Sequence, residues 1–339
     1  MKRDESVTIA KAIGIILMVI GHSGLGGYPT RFIYLFHMPL FFFLSGYCFK
    51  ENYLDRPKDY LLCRVKGAYW PYVKWSLLFL LFHNVFTYMH FYDNTLTIKE
   101  TLVKALHIST GLWGNDQLLG GFWFLKSLFW SSIIFYGVKR ICQFKYGFLF
   151  GGGTLLTFSM ICNLMHIKMP YWGINETDLA ASFFMLVGYE YHKHNISDKF
   201  LYICCLLLMV IGTFLWSQQM IEMKWNTMIP YFFTAVVGSV LTLWLSRKIM
   251  DKNCFKSRKL LIFVGNNTLN ILIWHFLCFK LVSFLIIHLY NLPIGSLAEF
   301  PVLKDYASQG WWMVYTLLGV TMPLLFTKII LFFKYKKSL

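Results

Sequence analysis

Long apolar stretches recur along the whole chain, and they constrain its fold more than any other feature of the sequence. A helix that crosses the hydrocarbon core of a bilayer needs about 20 mostly apolar residues. Stretches of roughly that length follow one another through the 339 residues, and only 14% of all residues are charged. In a soluble domain, roughly a quarter of all residues are charged. The sequence therefore predicts an all-α fold, a polytopic transmembrane helical bundle.

We expect about ten spanning helices in one integral membrane domain over residues 1–339. The sequence shows no internal repeat, low-complexity tract or linker that would separate a second unit. The first stretch contains Lys11 and lacks a small-residue cleavage site, so it is predicted to be a retained helix rather than a signal peptide. The candidate spans are 7–25, 32–49, 69–91, 122–138, 148–166, 178–192, 200–216, 227–246, 260–288 and 311–333.

The lysines and arginines predict the orientation of the bundle. Segments such as 50–66 and 247–259 are rich in basic residues, whereas the long segment 92–121 contains only Lys99 and Lys104. Because cytoplasmic loops are enriched in lysine and arginine, the basic segments are expected on the cytoplasmic side, and both termini with them. This topology and anionic membrane lipid explain the net charge of +16, so no nucleic-acid partner is expected.

Two ionisable residues in the first span are candidates for chemistry. Ionisable side chains inside a bilayer are costly and often functional. Lys11 and His22 are eleven residues apart, a spacing that returns a helix to nearly the same face and separates them by about 16 Å along its axis. A structural alternative remains open, in which Lys11 extends to the interface and His22 is an interfacial residue.

The sequence favours neither a metal site nor a disulfide framework. His22 and His37 follow each other across a short link, but no carboxylate or thiol stands at metal-ligand spacing from them. The eight cysteines show no metal-binding pattern, and the predicted topology places them in the bilayer or on the cytoplasmic side.

The first fifty residues resemble the opening signature of a known family. Lys11 followed after ten residues by His22, the run Phe36–Phe41 containing His37, and Leu44-Ser45-Gly46 resemble the acyltransferase-3 family. The family usually has arginine where this chain has Lys11, which keeps the charge but loses the bidentate geometry. Later segments that resemble the family in the expected order are Arg64-x-Lys66 before Pro71-Tyr72, Phe122–Leu125, and Gly265–Leu269 followed by His275.

The resemblance implies a multi-pass enzyme of the bacterial cell (inner) membrane. Such enzymes transfer an acyl group, usually acetyl, from cytoplasmic acyl-CoA to a hydroxyl of a surface polysaccharide or its lipid-linked precursor. Acyl-CoA would be a co-substrate, and no permanently bound cofactor is expected. Histidine suits the base that an attacking alcohol needs, and basic residues suit the phosphates of CoA.

We therefore predict His22 as the general base and Lys11 as a residue that assists the donor. The residues expected to bind the donor or the acceptor are His37, Arg64, Lys66, Trp123, Lys126 and His275. Structural alternatives stay open for three of them: an interfacial anchor for Trp123, a cation paired with a carbonyl for Lys126, and a bond to a neighbouring helix for His275.

A transporter or flippase for a lipid-linked sugar is the alternative function. Spanning helices with central charges and aromatic walls suit a translocation path as well. The hydropathy pattern, however, shows no inverted repeat and no pair of interrupted helices in matching halves. Consumption of a thioester would distinguish an acyltransferase from a transporter.

Overall fold

The protein is a bundle of helices. The computed structural model describes residues 4–169, 171–194, 199–251 and 255–336, and throughout these ranges every regular element is helical. The prediction of an all-α fold is confirmed. The α-helices are α1 (Glu5–His22), α2 (Gly27–Tyr34), α3 (His37–Tyr47), α4 (Pro57–Arg64), α5 (Trp70–Leu81), α6 (His83–Tyr88), α7 (Ile98–Gly111), α8 (Trp123–Ile141), α9 (Gly147–Leu164), α10 (Glu176–His194), α11 (Lys199–Leu215), α12 (Met228–Asp251), α13 (Phe255–Asn266), α14 (Thr268–Leu289), α15 (Lys304–Tyr306) and α16 (Trp312–Lys336).

Short 3-10 helices and π-helical turns lie between several of these helices. The 3-10 helices are Glu51–Tyr53, Gln117–Phe122, Met220–Glu222, Trp225–Thr227 and Ile294–Ala298. Two π-helical turns, Val65–Tyr69 and Ala307–Trp311, lie between α4 and α5 and between α15 and α16.

Six helical stretches of the described ranges are long and apolar enough to cross a bilayer, so a transmembrane bundle is supported. The number of about ten spans, the cytoplasmic termini and the single domain over residues 1–339 stay predictions. Lys2, Arg3, Lys252 and Lys337, which contribute to the predicted charge asymmetry, lie outside the described residues. The six stretches are Glu5–His22, Gln117–Ile141, Gly147–Leu164, Trp225–Asp251, Thr268–Leu289 and Lys304–Ile329.

Three of the predicted spans are interrupted. The span 69–91 is divided at Phe82, between α5 and α6. The other two breaks lie in spans that carry the candidate histidines His37 and His275. The predicted span 32–49 is divided at Leu35 and Phe36, so that His37 becomes the first residue of α3. Pro39 then falls in the first turn of α3, where a helix tolerates a missing N–H. The span 260–288 is divided at Asn267, whose side chain donates to the carbonyl of Phe263 at 2.8 Å and so satisfies the end of α13.

Helix α1 lies at the centre of one half of the bundle. It packs against α3, α12, α13, α14 and α16, so the helix that carries Lys11 and His22 is surrounded by protein. A second group forms around α10, which packs against α3, α8 and α9. Helix α3 belongs to both groups and lies beside α1, which brings His37 and Ser45 to the same interior as Lys11 and His22.

Candidate functional site

Two adjoining cavities lie along α1 and contain most of the predicted site residues. The larger cavity, of about 310 Å³, is lined by Lys11, Arg64 and mainly apolar side chains. The smaller cavity, of about 60 Å³, is lined by His22, His37 and Trp123. Three side chains belong to the walls of both cavities and form the partition between them: Met18, Met38 and Leu272.

His22 is held by a second histidine. It is the last residue of α1, and its Nδ1 lies 3.3 Å from Nε2 of His275 on α14. The two ring planes are nearly parallel, 15° apart, and Phe276 stacks on the His22 ring with centroids 5.0 Å apart. His275 is completely buried, whereas His22 is partly accessible and lines the smaller cavity. The geometry therefore presents His22, and not His275, to a substrate.

The hydrogen bonds around His275 assign the tautomer of both rings. The Nδ1 of His275 lies 3.0 Å from the carbonyl oxygens of both Ile271 and Leu272, so this nitrogen carries the hydrogen. In the neutral ring Nε2 is then an acceptor, and Nδ1 of His22 must donate to it. The remaining nitrogen of His22, Nε2, is left unprotonated. A neutral His22 in this arrangement is a base.

His37 lies in the same small cavity with its tautomer assigned in the same way. Its Nδ1 lies 2.9 Å from the carbonyl oxygen of Ile33 and donates to it, which leaves Nε2 as an acceptor. The ring stacks on Tyr34 with centroids 5.3 Å apart, and the Tyr34 hydroxyl donates to the carbonyl of Gly21 at 2.8 Å. Tyr34 thus links His37 to the end of α1 directly beside His22.

Arg64 supplies a planar cation to the larger cavity. Its Nη1 donates to Ser45 Oγ at 3.1 Å, and its guanidinium lies over the ring of Tyr60 at 4.8 Å. The buried Nε of Arg64 has no hydrogen-bond partner among the described residues. A guanidinium in the cavity wall to which Lys11 also belongs is suited to an anionic group such as a phosphate.

Lys66 does not join Arg64 in this cavity. It is exposed in the π-helical turn Val65–Tyr69 and is not part of the cavity wall. Two residues that are two positions apart in a helix point in nearly opposite directions. Arg64 and Lys66 therefore cannot both face α1, and only Arg64 does.

Lys126 also lies away from both cavities. Its Nζ donates to the carbonyl of Gly173 and pairs with Asp178 Oδ2 at 3.3 Å, which ties α8 to the start of α10. Asp178 is completely buried, and burial of a carboxylate requires such a partner. Glu190, at the other end of α10, pairs with Lys139 at 3.4 Å. Both ion pairs therefore connect α8 to α10.

The sequence does not reveal which residue pairs with His22, nor which residues form the outer wall of the small cavity. His275 was a candidate, but no spacing in the sequence relates it to His22, 253 residues earlier. Tyr34 and Gln219 also line the small cavity, and neither stands in a recognisable motif. Among the residues that the structure describes, no group of three or more histidine, cysteine, aspartate or glutamate side chains could hold a metal ion.

Comparison with known proteins identifies a family. A family model described as an acyltransferase domain, Acyl_transf_3, matches residues 4–328, nearly the whole chain. The match includes α1, α3 and α14, which carry His22, His37 and His275. Comparisons with curated proteins and with solved structures gave no match.

Proposed function

Because the chain belongs to the acyltransferase-3 family of membrane proteins, we propose that it transfers an acyl group, acetyl by preference, from cytoplasmic acyl-CoA to a hydroxyl of a cell-surface glycan or its lipid-linked precursor. The cell (inner) membrane of a bacterium is the corresponding location. The observation that carries this proposal is the pair of adjoining cavities, with cations in one and an unprotonated histidine nitrogen in the other.

The larger cavity suits the donor. CoA carries its phosphates at one end of a long flexible arm and its thioester at the other. Lys11 and Arg64 would bind the phosphate end, and the apolar wall, which includes Phe41 and Leu125, would contact the arm. Lys11 and His22 are about 16 Å apart along α1. A molecule with separated phosphate and thioester ends matches this distance, and the thioester would meet His22 at the partition.

The histidine pair suits the transfer step. His22 Nε2 takes the proton of the acceptor hydroxyl as the hydroxyl oxygen attacks the thioester carbonyl carbon. The C–S bond of the tetrahedral intermediate then breaks. The leaving CoA sulfur takes from His22 the proton that came from the acceptor hydroxyl. During the step His22 is positively charged, and His275 Nε2 accepts its Nδ1–H and holds the ring in place. His275 thus acts as a positioning residue, as the third member of a catalytic triad does.

Thioester consumption with the predicted sidedness tests the proposal. CoA esters do not cross membranes, so we expect acetyl-CoA to release free thiol in inside-out vesicles of producing cells. Intact right-side-out vesicles should release none. The measurement is a colorimetric thiol assay, and vesicles from cells that lack the gene are the control.

Two results would contradict the proposal in different ways. A transporter or flippase would leave the thioester intact in both kinds of vesicle, which would end the assignment of acyl transfer. Gene-dependent thiol release in right-side-out vesicles would keep acyl transfer but reverse the predicted orientation.

The donor site gives a prediction with a matched control. We expect Arg64→Gln to raise the KM for acetyl-CoA about tenfold with little change in kcat, because a lost charge-assisted contact to a phosphate weakens ground state and transition state alike. Lys66→Gln, the same change of charge two residues later but outside the cavity, should leave both constants nearly unchanged. Initial rates against acetyl-CoA concentration give both values. Equal effects of the two substitutions would remove Arg64 from the donor site.

A further inference from the structure

A third cavity adjoins the small cavity on the side away from the donor. It has a volume of about 330 Å³ and is formed by α2 and by the segment between α11 and α12. Tyr34 and Gln219 belong to the walls of both this cavity and the one that contains His22. We call it the outer pocket, and its polar side chains are Thr30, Arg31, Tyr34, Ser217, Gln218, Gln219, Glu222 and Lys224.

The three cavities form a continuous series. The donor cavity shares Met18, Met38 and Leu272 with the His22 cavity, which in turn shares Tyr34 and Gln219 with the outer pocket. A two-substrate transfer requires the acceptor to approach the base from a direction that the donor does not occupy. The outer pocket is the described cavity that adjoins His22 from that direction.

The chemistry of the outer pocket suits neighbouring hydroxyl groups. Arg31 supplies only hydrogen-bond donors, Glu222 supplies only acceptors, and the amide of Gln219 supplies both. A hydroxyl both donates and accepts, so a ligand with several hydroxyls can satisfy these groups together. An apolar ligand would offer none of these groups a hydrogen bond.

Gln219 is the residue best placed to contact such a ligand near His22. Its Nε2 donates to Glu222 Oε2 at 2.6 Å, which leaves its Oε1 and its second N–H for other partners. The backbone that carries it is anchored, since Met220 is buried and its carbonyl accepts from Thr177 Oγ1 at 3.3 Å. The preceding Gln218 is also buried and accepts from Thr227 Oγ1 at 2.9 Å. Glu222 therefore orients the amide of Gln219, and the backbone that carries Gln219 is held in place by its neighbours.

We propose that the outer pocket is the acceptor subsite and that it binds the sugar unit carrying the hydroxyl to be acylated. Gln219 hydrogen-bonds a second hydroxyl of that unit, and Glu222 is a positioning residue for the Gln219 amide. This inference rests on the acyltransferase function proposed above, and it adds which residues select the acceptor.

The test measures transfer of radiolabelled acetyl from acetyl-CoA to the surface polysaccharide isolated from cells that lack the gene. We expect Gln219→Ala and the nearly isosteric Gln219→Glu to raise the apparent KM for this polysaccharide about tenfold, with the KM for acetyl-CoA unchanged. Glu222→Ala should act in the same direction. Glu222→Gln retains an acceptor for the Gln219 amide and should recover most of the effect. Asp305→Asn, an exposed acid away from the pocket, is the control.

The outcomes separate the subsite from the function. KM does not depend on the amount of active protein, so partial misfolding would lower the rate without imitating the predicted shift. If Gln219→Ala is inactive, the apparent KM of the nearly isosteric Gln219→Glu for the polysaccharide tests the subsite instead. A Gln219 variant with an unchanged KM for the polysaccharide, or with the shift in the KM for acetyl-CoA instead, would overturn the subsite. Failure of the unaltered protein to label either the polysaccharide or its lipid-linked precursor would overturn the proposed function itself.

Discussion

His22→Gln is expected to lower the turnover number by about 10²–10⁴-fold, the usual contribution of a positioned general base. Glutamine has nearly the length of histidine, and its amide lies where Nε2 of His22 lies. It cannot take a proton from an attacking hydroxyl. The substitution therefore removes the proposed chemistry while keeping a polar side chain of similar size at the end of α1.

The measurement is the rate at saturating acetyl-CoA, divided by the amount of protein in the membrane. His288→Gln provides a matched control, since His288 is exposed near the end of α14, the helix that carries His275. His275→Gln should cause a smaller loss than His22→Gln, because it disturbs the orientation and tautomer of the base without removing it. A well-inserted His22→Gln protein with near-normal turnover would move the base assignment to His37.

The sequence predicted the central feature of this site because the feature lies within one helix. The eleven-residue spacing of Lys11 and His22 places both on one side of α1, and each lines one of two adjoining cavities. Contacts between distant helices were not predictable in this way. The pairing of His22 with His275 depends on how α14 packs on α1, and the sequence contains no periodicity that relates the two.

Helix geometry also explains why the predicted basic pair separates. The sequence groups Arg64 with Lys66 because both precede the third predicted span, but a two-residue spacing turns Lys66 away from the cavity. The sequence leaves open whether Lys126 binds a substrate or pairs with a carbonyl, and in the structure it contacts the carbonyl of Gly173 and the carboxylate of Asp178. A cation at such depth needs a partner, whereas the sequence does not show which helix supplies it.

The interruptions of the predicted spans have a similar cause. Hydropathy is high on both sides of Leu35 and Phe36 and on both sides of Asn267. A hydropathy average over a window of residues therefore predicts one continuous span across each break. The backbone at these positions is decided by local hydrogen bonds, such as that from the Asn267 side chain to Phe263. For this reason the sequence located the helical regions better than it located their ends.

The packing of α3 on α10 gives the second large expected effect. At this contact two glycines, one on each helix, face the backbone of the opposite helix. A Cβ added to Gly46 would lie 1.8 Å from the carbonyl oxygen of Met185, and one added to Gly188 would lie 2.0 Å from that of Phe43. Small residues allow helices in membranes to approach closely, and here the approach is too close for any side chain. Since α3 carries His37 and Ser45, separation of the two helices would also disturb the site.

Gly188→Ala is therefore expected to destabilise the folded protein by about 1–3 kcal/mol or more, the usual cost of overpacking where backbone must move. Gly153→Ala is the matched control, because Gly153 lies in α9 with open space where a Cβ would be placed. The measurement is the fraction of detergent-solubilised protein that stays monodisperse after heating, compared over a series of temperatures. We expect the midpoint of Gly188→Ala to fall by several degrees and that of Gly153→Ala to stay close to the unaltered protein. Equal midpoints for both variants would show that α3 and α10 can separate without cost, contrary to the direct backbone contact.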